Sequence, residues 1–171
     1  NNYPLTKLVD YIDWTPFFLS WELAGKYPEI LTDSVVGEAA TNLFHDAQEC
    51  LEKILANNWL KADAAIGFWR ATSEGDDIEL TDEHNAPIAR LHHTRQQQEK
   101  NSSDNTLYSL ADFIAPKSSG KQDYVGGFVV TAGGGVDEIA SEFERNGDDY
   151  TAIMIKALAD RLAEAFAEHL H

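Results

Sequence analysis

The sequence predicts an α+β domain, a twisted and mainly antiparallel sheet flanked by helices, and three observations carry that expectation. Strand-like runs at Ala64–Trp69, Asp76–Leu80 and Pro87–Leu91 lie so close together that only tight turns join them, which favours antiparallel neighbours. Stretches with apolar residues every three or four positions stand before and after them. A further strand-like run, Tyr124–Ala132, precedes the closing helices. Helices gathered around a small sheet, without strict strand–helix alternation, are the α+β arrangement.

The elements follow in order. Thr15-Pro16 predicts a helix capped by threonine and begun by proline; Phe17, Phe18, Trp21, Leu23 and Ala24 load it with buried surface, and Gly25 stops it. From Val35 to Leu55, apolar residues fall at Val36, Ala40, Leu43, Ala47, Leu51 and Ile54, one face of an amphipathic helix. The three short strands come next, the second after a Glu74-Gly75 turn. Gln96–Asp104 is polar and runs into Asn101-Ser102-Ser103-Asp104-Asn105, a loop signature. Leu107–Ile114 is apolar without a clear period, and Ala115-Pro116-Lys117-Ser118-Ser119-Gly120 breaks it. In the fourth strand Gly126-Gly127 predicts a bulge or a close backbone approach, and Gly133-Gly134-Gly135 ends it. Helices over about 137–145 and 150–170 close the chain, the second presenting Tyr150, Met154, Ala157, Leu158, Leu162, Ala165 and Phe166 on one broad face.

Composition narrows the function. The chain has 171 residues, 43% hydrophobic and 11% aromatic, enough for one packed domain. It carries 29 acidic against 13 basic residues, a net charge of −16, which repels nucleic-acid backbones and anionic membranes. A cationic small molecule, or a protein met through local basic spots, fits better. One cysteine, Cys50, cannot form an internal disulfide and points to the cytoplasm. Apolar runs such as Phe17-Phe18-Leu19 fall far short of the roughly 20 residues of a spanning helix. No signal-peptide pattern opens the chain, and the last helix runs to His171 without a stop signal, as if the domain continued.

Few constellations carry chemistry. Asp13, in Tyr11-Ile12-Asp13-Trp14-Thr15-Pro16, precedes a helix among large aromatics; it suits an ammonium, although a local cap or Asx turn is the plainer reading of the residues alone. His92-His93, with His45 and His84 elsewhere, raises a metal site, but adjacent strand residues face opposite ways and no paired zinc-site spacing is present. The glycine clusters lack phosphate-loop spacing, and Ser20, Ser34, Ser109 and Ser141 lie in no nucleophile elbow. Cys50 sits between Glu49 and Glu52, neighbours that raise a thiol pKa. Arg161 falls on the apolar stripe of the last helix beside Asp160, where it either snorkels to a partner across the core edge or docks another domain. Lys26 beside Tyr27, with Lys117 and Lys121, are the few cationic points available to an acidic partner.

Particular strings then become specific. Tyr11-Ile12-Asp13-Trp14-Thr15-Pro16-Phe17-Phe18 and Trp21-Glu22-Leu23-Ala24-Gly25-Lys26-Tyr27-Pro28 resemble the entrance to the C-terminal activation domain of cobalamin-dependent methionine synthases. So do Leu110-Ala111-Asp112-Phe113-Ile114-Ala115-Pro116-Lys117, Asp123-Tyr124-Val125-Gly126 and Lys156-Ala157-Leu158-Ala159-Asp160-Arg161-Leu162-Ala163-Glu164-Ala165, in family order over nearly the whole chain.

The resemblance implies a module of a methyltransferase that moves a methyl group from 5-methyltetrahydrofolate to homocysteine. Its cobalt occasionally oxidises; the module binds S-adenosylmethionine and docks over the cobalamin-carrying domain, while flavodoxin or a diflavin reductase supplies an electron, regenerating methylcobalamin. In the family, the Asp of the Ile-Asp-Trp string receives the ammonium of S-adenosylmethionine, which carries onto Asp13. The family's other main ligand segment, Arg-Pro-x-Pro-Gly-Tyr-Pro, together with a later Tyr, is absent from residues 1–171. The resemblance therefore implies a partial activation domain, inactive alone, binding its ligand weakly and leaving apolar surface open to self-association. The alternative is a docking module of the same fold that does not bind S-adenosylmethionine; a small metallohydrolase using His92 or His93 is a third possibility.

Overall fold

The structure is a computed structural model that describes residues 2–98 and 106–171. Its elements are α1 (Trp14–Ser20), α2 (Gly37–Asn57), β1 (Lys61–Glu74), β2 (Asp77–Thr81), β3 (Pro87–His92), β4 (Asp123–Gly134), α3 (Val136–Arg145) and α4 (Asp149–Leu170), with short 3-10 turns between. The sheet has the order β3-β2-β1-β4 and the fold class is α+β, as the sequence predicts. The chain divides into two compact units, residues 1–65 with 129–171, and residues 66–128.

The first unit is helical. α4 packs against α1, α2 and α3, and its Met154, Ile155, Leu158, Leu162 and Phe166 are buried with Phe17 and Phe18 of α1 and Leu51 and Ile54 of α2. Burying side chains of this size is worth roughly 1.5–3 kcal/mol each, so the helices are held by packing more than by propensity. Tyr150, predicted on the apolar face, is instead 45% exposed and donates its hydroxyl to Asp46 Oδ2 at 2.7 Å. A phenol hydroxyl needs a partner, and the helix edge supplies one.

Two helix boundaries differ from expectation for a stereochemical reason. α1 starts one residue before Thr15 and ends at Ser20, well before Gly25. Its stop is a Schellman motif: the Leu23 N–H donates to Phe18 O and the Glu22 N–H to Leu19 O, with Glu22 in the left-handed region at φ 61°. Non-glycine residues seldom take that role, so the sequence hid it. α2 ends the same way, on Asn58 at φ 51°. At its other end the Asp33 carboxylate accepts from the Val35 and Val36 N–H groups, and these bonds lower its pKa.

The second unit is a small sheet with its own core. β1 and β2 pair from Arg70↔Thr81 to Glu74↔Asp77, and β2 and β3 from Asp77↔His92, with an irregularity at Leu80/Thr81. β1 runs beyond the predicted 64–69 at both ends, and at its far end Arg70–Glu74, polar apart from Ala71, form this ladder. Ala71, Ile78, Leu80 and Ala111 are buried together, flanked by Leu91, Ile114 and Val125. The ambiguous 107–114 segment is irregular around a 3-10 turn at Leu110–Phe113, closed by a Ser109/Asp112 capping box. Arg95 ties this segment to β2's approach through Asp112 and Asp76, at 2.6 Å each. The predicted 96–104 loop, with its Asn101–Asn105 signature, lies mostly outside the described residues.

The paired glycines of β4 mark the close approach expected of them. A Cβ on Gly126 would sit 3.0 Å from the Phe68 ring, and one on Gly127 3.2 Å from the Trp69 ring. The aromatics of β1 lie across the bare backbone of its neighbour.

Candidate functional site

Asp13 is the residue on which the site rests, and it is the N-cap of α1. Its backbone is extended (φ −80°, ψ 113°), and its Oδ1 accepts from the Thr15 N–H at 2.9 Å. Asp13 therefore holds the position that the sequence assigned to Thr15. Thr15 has a different role: its Oγ1 accepts from the Tyr27 N–H at 3.1 Å, fastening the Lys26-Tyr27-Pro28 segment to the start of the helix. The Asp13 side chain is exposed, and its Oδ2 has no partner among the described residues.

Beneath it lies a bed of rings. Trp14, Phe17 and Phe18 are buried, Trp14 meets Phe17 and Phe44 edge-on at 5.4 and 4.9 Å, and Tyr27 meets Phe44 at 5.4 Å. The rings fix the helix whose first turn fixes the carboxylate. One oxygen is spent on the cap, and the other is presented to solvent, able to accept from an ammonium. Phe44 was not singled out in the sequence; its place on α2, one residue from the buried Leu43, was the available signal.

The other candidates are not brought to this carboxylate. His92 bonds Asp77 across the β2–β3 pair at 3.0 Å, and His93 presents a buried Nε2 without a partner among the described residues. Among the described residues no three His, Cys, Asp or Glu side chains stand close enough to hold a metal ion. Cys50 is buried, and desolvation is the main cause that pushes its thiol up to about 11. The direction matches the sequence expectation, but Asp148 is the acid that contributes, not Glu49 or Glu52. Arg161 pairs with Glu164 on its own helix, so its partner is local and not across the core edge. Lys117 is occupied by Glu79 at 3.0 Å, whereas Lys26 and Lys121 make no ion pair among the described residues. Among those residues no helix is long and apolar enough to cross a membrane.

Against known proteins, residues 4–171 match a family described as vitamin B12 dependent methionine synthase, activation domain. Among solved structures, a crystal structure of the MetH reactivation domain bound to AdoHcy is similar with a TM-score of 0.88 and 53% identity. The similarity covers 100% of this chain and 53% of that one, so the chain spans about half the length of that relative. With the family matched over almost every residue, and the same fold in a relative of more than half identical sequence, the chain belongs to the vitamin B12 dependent methionine synthase activation domain family.

Proposed function

We propose that this chain is the first part of the reactivation module of a cobalamin-dependent methionine synthase, and that the complete module holds S-adenosylmethionine for reductive remethylation of oxidised cobalamin. The observation that carries this is the 53% identity to a reactivation domain crystallised with AdoHcy. AdoHcy is the demethylated form of S-adenosylmethionine and shares its amino-acid end, so its presence in the relative favours the ligand-binding role over docking alone. Cobalamin belongs to a neighbouring domain of the same enzyme, and a flavodoxin or diflavin reductase is the electron donor. The cytoplasm is the setting this implies, where Cys50 stays a thiol.

Asp13 is the proposed ammonium receptor. Its acceptor chemistry fits: a solvent-facing carboxylate oxygen without a partner among the described residues, on a side chain pinned through its other oxygen. S-adenosylmethionine, when bound, supplies the methyl group; what Asp13 contributes is orientation and charge. That contribution is small alone, since an exposed ion pair is worth roughly 0.2–1 kcal/mol and micromolar affinity requires about 8. The remaining affinity comes from residues outside this chain, the family's Arg-Pro-x-Pro-Gly-Tyr-Pro segment foremost.

Calorimetric titration of AdoHcy into the longer protein that carries this chain tests both levels. We expect binding by the unaltered protein and an affinity reduced roughly 1.4- to 5-fold in Asp13→Asn. Absence of binding by the unaltered protein overturns the function, and an unchanged Asp13→Asn overturns the role of Asp13 alone.

A further inference from the structure

We infer that Thr15 is a positioning residue for the S-adenosylmethionine site: its hydroxyl oxygen locks the first turn of α1 to the Lys26-Tyr27-Pro28 segment, and through that turn it sets the direction of the Asp13 carboxylate. This rests on the proposal that Asp13 receives the ammonium of the ligand.

Thr15 makes two hydrogen bonds of opposite sense. Its N–H donates to Asp13 Oδ1 at 2.9 Å, and its Oγ1 accepts from the Tyr27 N–H at 3.1 Å. The other hydroxyl of α1 does what a helix serine usually does: Ser20 Oγ donates to Phe17 O on its own helix. Thr15 instead engages a residue twelve positions along the chain. The segment it engages is firmly seated. Tyr27 packs its ring against Phe18 and Phe44, at 6.4 and 5.4 Å between centroids. The Ile30 N–H donates to Lys26 O at 2.8 Å, and the Ile30 side chain is buried.

The length of the helix explains why such a tie counts. α1 has seven residues, about two turns, and the N–H groups of its first turn have no acceptor within the helix. Helices this short hold poorly by themselves. Burial of Trp14, Phe17 and Phe18 fixes the inner side of α1, whereas both hydrogen bonds of Thr15 lie on its exposed side, where packing gives less hold. With Oδ1 tied to the Thr15 N–H, the direction of the open Oδ2 follows the orientation of that peptide. A turn locked from a second segment presents Oδ2 one way and leaves less orientation to be fixed on binding, which is how preorganisation contributes affinity. Valine at this position keeps the branched shape and removes the acceptor, while serine keeps the oxygen.

Calorimetric titration of AdoHcy into the longer protein that carries this chain tests the inference. Thr15→Val, Thr15→Ser, Asp13→Asn and the double variant Asp13→Asn/Thr15→Val are compared, with Thr15→Ala replacing Thr15→Val should valine prevent folding. Thr15→Val should weaken binding by no more than the roughly 1.4- to 5-fold of Asp13→Asn, Thr15→Ser should bind like the unaltered protein, and the double variant should bind no more weakly than Asp13→Asn alone. Unchanged binding by Thr15→Val overturns the inference, as does a loss in Thr15→Ser as large as in Thr15→Val. An equal further loss on top of Asp13→Asn also overturns it, because Thr15 would then support the fold without acting through Asp13. Each of these leaves the ligand reading of the module standing, whereas absence of AdoHcy binding by the unaltered protein overturns that reading and the inference with it.

Discussion

Replacing Asp13 by Asn and, separately, by Ala divides the two uses of one carboxylate. In the structure Oδ1 caps α1 through the Thr15 N–H at 2.9 Å, while Oδ2 is unengaged among the described residues. Asparagine offers the same capping oxygen and ranks with aspartate at this position, whereas alanine removes it at a cost of about 1 kcal/mol. For a domain of this size that corresponds to about 2–4 °C in Tm. Thermal unfolding of the 171-residue chain should therefore place Asp13→Asn close to the unaltered protein and Asp13→Ala clearly below it. In the longer protein the order changes: Asp13→Asn should lose AdoHcy affinity despite its intact stability, because the charge is gone and the cap is not. Equal destabilisation by both substitutions would refute the hydrogen-bonded cap. No destabilisation by either would mean that the packing of Trp14, Phe17 and Phe18 alone sets the helix start.

Three further outcomes follow from local geometry. Gly135 has φ 95° and a Cβ there would stand 2.7 Å from Trp59 O, whereas Gly147 has φ 78° and open space around it. Gly147→Ala should cost only the left-handed penalty of about 1–2 kcal/mol, and Gly135→Ala distinctly more, as read by urea unfolding. Arg95, followed by the Ser109 N–H, holds the Asp112 carboxyl down from 3.8 to about 2. A depressed acid stabilises above its unfolded pKa and loses that contribution as pH falls, so between about pH 4 and pH 2 the unaltered chain should lose stability more steeply than Arg95→Met, and parallel acid titrations would refute the clamp. Cys50, buried and raised to about 11, should react with a thiol reagent no faster than the chain unfolds; rapid labelling of the native protein would contradict its placement.

Much of the fold was legible because its strongest signals are periodic. The 3.6-residue pattern of Ala40, Leu43, Ala47, Leu51 and Ile54 survives intact as the buried face of α2, and Met154, Leu158, Leu162 and Phe166 do the same in α4. Where backbone stereochemistry decides, the residues mislead. Glu22 takes the left-handed position that glycine usually marks, so Gly25 seemed to end a helix that ends at Ser20. Thr15 is a good capping residue two positions too deep, because α1 already starts at Trp14 with Asp13 as its cap, accepting from the N–H of Thr15 itself. The polar end of β1 was invisible as strand, since Arg70, Thr72 and Glu74 draw their stability from pairing with β2 and not from their own apolar character. At the candidate site, Asp13 was singled out through the family strings; the division of its carboxylate between cap and open oxygen is a fact of three-dimensional placement that spacing does not encode.

The proposed ligand role of Asp13 carries an energetic consequence. An exposed carboxylate of this kind supplies at most about an eighth of what a micromolar ligand requires, so a binding site built on it requires further contacts. Asp13→Asn is therefore expected to weaken AdoHcy binding without abolishing it, and a complete loss of binding in that variant would mean that the carboxylate does more than form an exposed ion pair.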